Sequence, residues 1–143
     1  MQFHHVSLTA NDANALSDFY ITVFGCVDRR PAKRLSDPWV SQGNGVPGSN
    51  ILSRWLTFPN TTGPFLEILE YEVMLDAAPQ PPNTRGCGHI AFVVDDLNAT
   101  VANVLAHGGA KQGDIVNIGS AEHPILVVYM RDPEGNIVEL EQI

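Results

Sequence analysis

Cysteine is scarce in this chain: its 143 residues hold two, Cys26 and Cys87. Two thiols with no CxxC spacing exclude a disulfide framework, a zinc ribbon and a dithiol redox pair, and both read as small buried apolar residues. Positive charge is also sparse. Eight Lys and Arg stand against sixteen Asp and Glu, a formal charge of −8, and a field of that sign repels a phosphate backbone, which excludes nucleic acid as a partner. Long apolar runs are missing as well. No stretch approaches the roughly 18 consecutive apolar residues that span a bilayer, and the N-terminal MQFHHVSLTANDA has neither a basic nor an apolar targeting segment. The expectation is a cytoplasmic protein with no membrane partner.

What is present is the material of a globular domain. Hydrophobic residues make up 44% and charged residues 17%, a balance that excludes disorder and coiled coil. The length suits one compact domain, 1–143, able to bury roughly 70% of the surface its unfolded chain exposes.

The sequence repeats itself. His5-Val-Ser-Leu-Thr-Ala-Asn-Asp12 matches His89-Ile-Ala-Phe-Val-Val-Asp-Asp96, with His and Asp at the same spacing and apolar residues at the same alternate positions. In each copy a period of two, the mark of a strand, gives way to a helical period: Leu16, Phe19, Tyr20 and Val23 in the first, Leu97, Val101, Val104 and Leu105 in the second. Gly25 and Gly108-Gly109 close those helices. Each copy ends in a strand pattern with Glu four residues after Gly: Gly63-Pro-Phe-Leu-Glu67 and Gly135-Asn-Ile-Val-Glu139. Between helix and last strand, 51–58 in the first copy and 115–118 and 125–130 in the second read as strands, with turns at 60–63 and 132–136.

The reading is an α+β protein of two βαβββ units. The first covers about 1–71, a proline-bearing linker about 72–85, and the second about 86–143. A further irregular stretch, 29–50, reads as a loop too long for a simple connection.

Paired as a repeat, the units would form a curved mixed sheet around a cleft reached by His5, Glu67, His89 and Glu139. Two imidazoles and two carboxylates suit a divalent Zn, Ni, Co, Mn or Fe ion and leave positions open for substrate. His4 and Glu70 compete with His5 and Glu67, but strand alternation assigns both rivals to the opposite face. His107 reads as a surface residue at a helix C-terminus, and His123 as a loop residue.

The segments His5-Val-Ser-Leu8, Asp18-Phe-Tyr20, Phe24-Gly25, Leu66-Glu67-Ile68, Gly88-His89-Ile-Ala-Phe92, Arg131-Asp-Pro-Glu-Gly-Asn136 and Val138-Glu139-Leu140 together resemble the vicinal oxygen chelate superfamily. That superfamily includes glyoxalase I, methylmalonyl-CoA epimerase, extradiol dioxygenases and the fosfomycin and bleomycin resistance proteins. The resemblance covers essentially the whole chain and places the family's metal positions on His5, Glu67, His89 and Glu139. It implies a homodimer and a small-molecule substrate.

It also implies a metal-dependent lyase, isomerase or epimerase in which a carboxylate moves a proton next to a chelated carbonyl, with Glu139 as base and Glu67 as ligand or second base. An extradiol-type Fe(II) dioxygenase, with Tyr129 ten residues before Glu139, is the first alternative, and a metal-free drug-binding protein the second. Thr9 stands where bacterial glyoxalase I carries the Arg that binds glutathione. Glu67 stands where methylmalonyl-CoA epimerase has Gln. Substrate contacts are expected from Arg30, Trp39 and Tyr129, with Trp39 as the pocket tryptophan and Trp55 as core.

Overall fold

A computed structural model of the chain describes residues 1–75 and 77–143, which divide into two compact units, Met1–Ala77 and Ala78–Ile143. The first unit runs β1 (His5–Thr9), α1 (Ala13–Phe24), β2 (Val27–Leu35), α2 (Pro38–Asn44), β3 (Ile51–Thr57) and β4 (Phe65–Tyr71). Its sheet has the order β1-β4-β3-β2, with β1 parallel to β4 and the other pairs antiparallel.

Helix α1 forms because Leu16, Phe19, Tyr20 and Phe24 recur on one face. They are buried together with Leu56, Leu66 and Ile68 of the sheet, each such side chain contributing about 2 kcal/mol by leaving water. Gly25 ends the helix at φ 68°, a left-handed conformation that glycine adopts without penalty.

The second unit runs β5 (Ile90–Val93), α3 (Leu97–Ala106), β6 (Ala110–Lys111), β7 (Val116–Asn117), β8 (Leu126–Arg131) and β9 (Ile137–Gln142). Its sheet has the order β5-β9-β8-β6, with β7 also on β8 and β5 parallel to β9. Leu97, Val101 and Val104 of α3 are buried, as are Val128, Met130, Val138 and Leu140. Gly109 has no room for a side chain, since a Cβ would lie 2.6 Å from the Arg131 carbonyl oxygen.

The repeat holds down to single hydrogen bonds. Asp12 caps α1 by accepting from the Asn14 and Ala15 amides, and Asp96 caps α3 by accepting from that of Ala99. The amide of the first helical residue goes to the last strand in both units: Ala13 to Glu70 Oε2 at 3.0 Å and Leu97 to Gln142 Oε1 at 2.8 Å. Glu70 is therefore a helix cap on the α1 side of β4, the face expected for it.

Two expectations change. The stretch 29–50 is not an irregular loop: it contains most of β2 and all of α2. β2 escapes a periodicity search because it is an edge strand with nearly every residue exposed, and its pairing with β3 slips twice around Arg30 and Pro31. α2 buries only Val40 and so has no apolar stripe, although Pro38 at its start and Gly45 in left-handed conformation at its end mark it. Cys26 is buried as expected, but Cys87 is exposed. Of the linker expected at 72–85, residue 76 lies outside the described residues, and the rest has neither helix nor strand.

Candidate functional site

An inner strand of each sheet, β4 and β9, presents the site. On β4, Leu66 and Ile68 point into the core against α1, so alternation turns Phe65 and Glu67 to the other face. Register then lines up one row across the sheet: Arg30 on β2, Trp55 on β3, Glu67 on β4 and Ser7 on β1. His5, two residues before Ser7, reaches Glu67, with Nε2 to Oε2 at 3.4 Å. In the second unit Val138 and Leu140 take the core side of β9, and the corresponding row is Tyr129, Glu139 and Ala91. His89, two residues before Ala91, reaches Glu139, with Nε2 to Oε2 at 3.0 Å.

The two pairs match in exposure as well. The imidazoles are each 36% exposed, and the carboxylates are 14% and 15% exposed. Each unit therefore shelters a carboxylate and leaves the adjoining ring open. Donor chemistry fits a metal: two ligands about 2.1 Å from one ion and 90–110° apart are about 3.0–3.4 Å from each other, and both pairs have that spacing. Among the described residues, no three His, Cys, Asp or Glu side chains are gathered as a metal cluster. Each unit supplies two donors.

The surroundings of the two carboxylates differ. Trp55 donates its indole N–H to Glu67 Oε1 at 2.8 Å, and the Ser53 hydroxyl lies 3.5 Å from the same oxygen. Arg30 stands behind them, donating to Ser53 Oγ at 2.8 Å and laying its guanidinium over the Trp55 ring at 4.1 Å. Partial loss of water lowers the Arg30 pKa from the usual arginine range, and the Glu67 carboxylate opposes that shift. Glu139 is held only by His89, whose ring packs against Tyr129 at 5.1 Å, and no protein donor among the described residues reaches its Oε1.

His4 is not on the opposite face. It precedes β1, so strand alternation does not govern it, and its Nδ1 lies 2.8 Å from His5 Nδ1. Its ring meets Phe65 edge-on at 4.9 Å. One of these two Nδ1 atoms carries the shared proton. A proton on His5 Nδ1 leaves His5 Nε2 as the lone pair facing Glu67, the tautomer that a metal ligand needs.

Of the other expected contacts, Arg30 and Tyr129 stand in the two site rows. Trp39 is 60% exposed on α2, and no side-chain contact among the described residues joins it to His5 or Glu67. Trp55, expected in the core, is half-buried with its indole on Glu67. Its place was open to a simple reflection. The β3–β4 hairpin folds about residue 61, so the residue six before faces the residue six after, as the β8–β9 hairpin about residue 134 sets Tyr129 opposite Glu139. His107 caps α3 at the surface through the Asn103 carbonyl oxygen, and His123 is exposed in its loop.

Two mixed-sheet units, each with a His at or just before the start of its first strand and a Glu on its last, define the vicinal oxygen chelate class of fold. The chain belongs to the glyoxalase-like domain family, whose model matches residues 5–140. Human mitochondrial methylmalonyl-CoA epimerase is 23% identical over 141 residues, 99% of this chain and 73% of its own. A glyoxalase family protein from Bacillus cereus superposes with a TM-score of 0.87 at 16% identity, covering 99% of this chain and 93% of its own. A variant of the genomically encoded fosfomycin resistance protein of Listeria monocytogenes, solved with Mn(II) and a dihydroxypropylphosphonic acid, superposes at 0.60 with 17% identity over 96% of this chain and 89% of its own. Likeness at these identities shows a shared fold. Among the described residues no helix is long and apolar enough to cross a membrane.

Proposed function

We propose that the protein is a divalent-metal-dependent lyase, isomerase or epimerase of the glyoxalase-like type, acting on a small carbonyl substrate. In this reading His5, Glu67, His89 and Glu139 hold one Zn, Ni, Co, Mn or Fe ion, residues 1–143 act as one domain, and the protein works as a homodimer. The observation that carries it is the matched pair of His–Glu contacts, 3.4 and 3.0 Å, at equivalent positions of the two units. Four residues repeating both position and donor spacing serve a common ligand better than they serve packing.

A bound ion would supply Lewis acidity toward the substrate carbonyl oxygen. The chain's own groups divide the remaining work. Glu67, with one oxygen on the Trp55 indole and the other toward His5, is fixed in orientation and acts as a ligand. Glu139, with Oε1 open, takes the proton from the carbon next to the carbonyl and returns it. Tyr129 packs against His89 at the substrate side, and Arg30 and Trp39 complete the contacts. The curated epimerase relative supports proton transfer over oxygen insertion.

Elemental analysis of tag-free protein purified without chelator tests the reading. The expected result is about one equivalent of transition metal per chain, lost in His5→Ala and His89→Ala. Glu139→Gln is expected to keep most of the metal but to slow exchange of the α-proton of 2-oxo acids or thioesters into deuterated water by at least about 100-fold. No metal after reconstitution would instead favour a metal-free ligand-binding module.

A further inference from the structure

Two consecutive arginines face the same way on β2. Neighbours on a regular strand point to opposite faces, but here the register slips: Asp28 stands opposite Leu56 and Arg30 opposite Trp55, so Arg29 is the extra residue of a β-bulge. The Arg29 guanidinium lies over the Phe65 ring at 4.8 Å, and that of Arg30 over the Trp55 ring at 4.1 Å. The two rings touch, with centroids 4.5 Å apart. Phe65 and Glu67 alternate on β4, so both cations lie on the face that carries the His5–Glu67 pair.

Among the described residues, no ion pair joins a carboxylate to either cation. The ion pairs among the described residues are His5–Glu67, Arg54–Asp28 and His89–Glu139. Arg30 gives its hydrogen bonds to neutral acceptors, the Pro31 and Ser53 carbonyl oxygens and the Ser53 hydroxyl. In a chain with sixteen acids to eight bases, two adjacent arginines with no carboxylate partner among the described residues are conspicuous. Arg30 is also partly stripped of water, which disfavours its charge until an anion arrives.

We propose that Arg29 and Arg30 bind an oxyanion group, carboxylate or phosphate, carried by the substrate. The aromatic faces hold both guanidinium planes in place, and a planar fork suits the paired oxygens of such a group. Calling the anion part of the substrate rests on the functional reading above; the binding site itself does not.

The test is a fluorescence titration in a Trp39→Phe background, where Trp55 becomes the only tryptophan of the two. Inorganic phosphate and succinate are the probes, at constant ionic strength with chloride as the reference anion. Saturable change in Trp55 emission is expected with at least one probe, weakened at least about tenfold by Arg29→Ala and by Arg30→Ala. Saturation by phosphate alone assigns a phosphate, and by succinate alone a carboxylate. Arg34→Ala removes the same charge from the same strand but pairs with Leu52, on the other face, and is expected to change nothing.

Absence of saturation by both probes, or equal weakening by Arg34→Ala, overturns the proposal. Should Arg30→Ala fail to fold, the exposed Arg29→Ala decides alone. Metal content read on the same sample keeps the two proposals separable, because the titration involves no turnover.

Discussion

The Trp55 indole N–H sits 2.8 Å from Glu67 Oε1, while Glu67 Oε2 faces His5 Nε2 at 3.4 Å. One carboxylate thus divides its two oxygens between a fixed neutral donor and an imidazole. The equivalent strand position in the second unit is Tyr129, whose ring packs on His89. The repeat preserves the pairs and varies what supports them.

Removing the indole donor separates orientation from ligation. Trp55→Phe keeps an aromatic ring under Arg30 and leaves Glu67 intact. Affinity for Zn(II) or Mn(II), measured by calorimetric titration, is expected to fall about 10–100-fold, the usual effect of losing a hydrogen bond to a ligand. An unchanged affinity would mean that the bond does not orient Glu67.

The adjacent histidines are expected to rank rather than match. His5→Ala should abolish binding of the metal, whereas His4→Ala, which loses the partner of His5 Nδ1 and an edge-on contact with Phe65, should weaken binding about tenfold. Titration of both variants with the metal alone checks this, and equal losses would show His4 to be a ligand.

The two thiols should behave oppositely. Burial pushes the Cys26 thiol up to about 11, from 9.0, whereas Cys87 is exposed. An aromatic disulfide reagent at pH 8 is expected to modify Cys87 alone in native protein and both thiols in denaturant. The same shift makes the folded state bind a proton that the unfolded state releases. Its contribution to stability is therefore complete below pH 9 and is lost as pH rises toward about 11.

Helix capping gives a test of the fold independent of the site. Asp12→Ala leaves the Asn14 and Ala15 amides without their acceptor. It should cost about 1 kcal/mol, seen as a melting temperature lower by about 2–4 °C. Metal content should stay at the wild-type level.

The parts legible in the sequence are those where local pattern and tertiary role coincide. His5, Glu67, His89 and Glu139 stand out because the same spacing occurs twice, and Asp12 and Asp96 mark helix starts through a local hydrogen bond. β2 was hidden because an exposed edge strand with a bulge has no hydrophobic alternation to read. The bulge also hid the common direction of Arg29 and Arg30, which strand periodicity assigns to opposite faces. His4 was misplaced for a related reason: alternation was applied one residue before the strand begins. Trp55 reads as core by size and strand context, and only cross-strand register reveals its partner.

The bonds from Ala13 to Glu70 and from Leu97 to Gln142 occupy the same place in the two units, yet one acceptor is a carboxyl group and the other an amide. What that position requires is an oxygen, and its charge is free to drift. Deamidation of Gln142 during long storage would turn the second unit's side chain into the first unit's, so a sample ageing at this residue should gain mass and negative charge while its melting curve stays where it was.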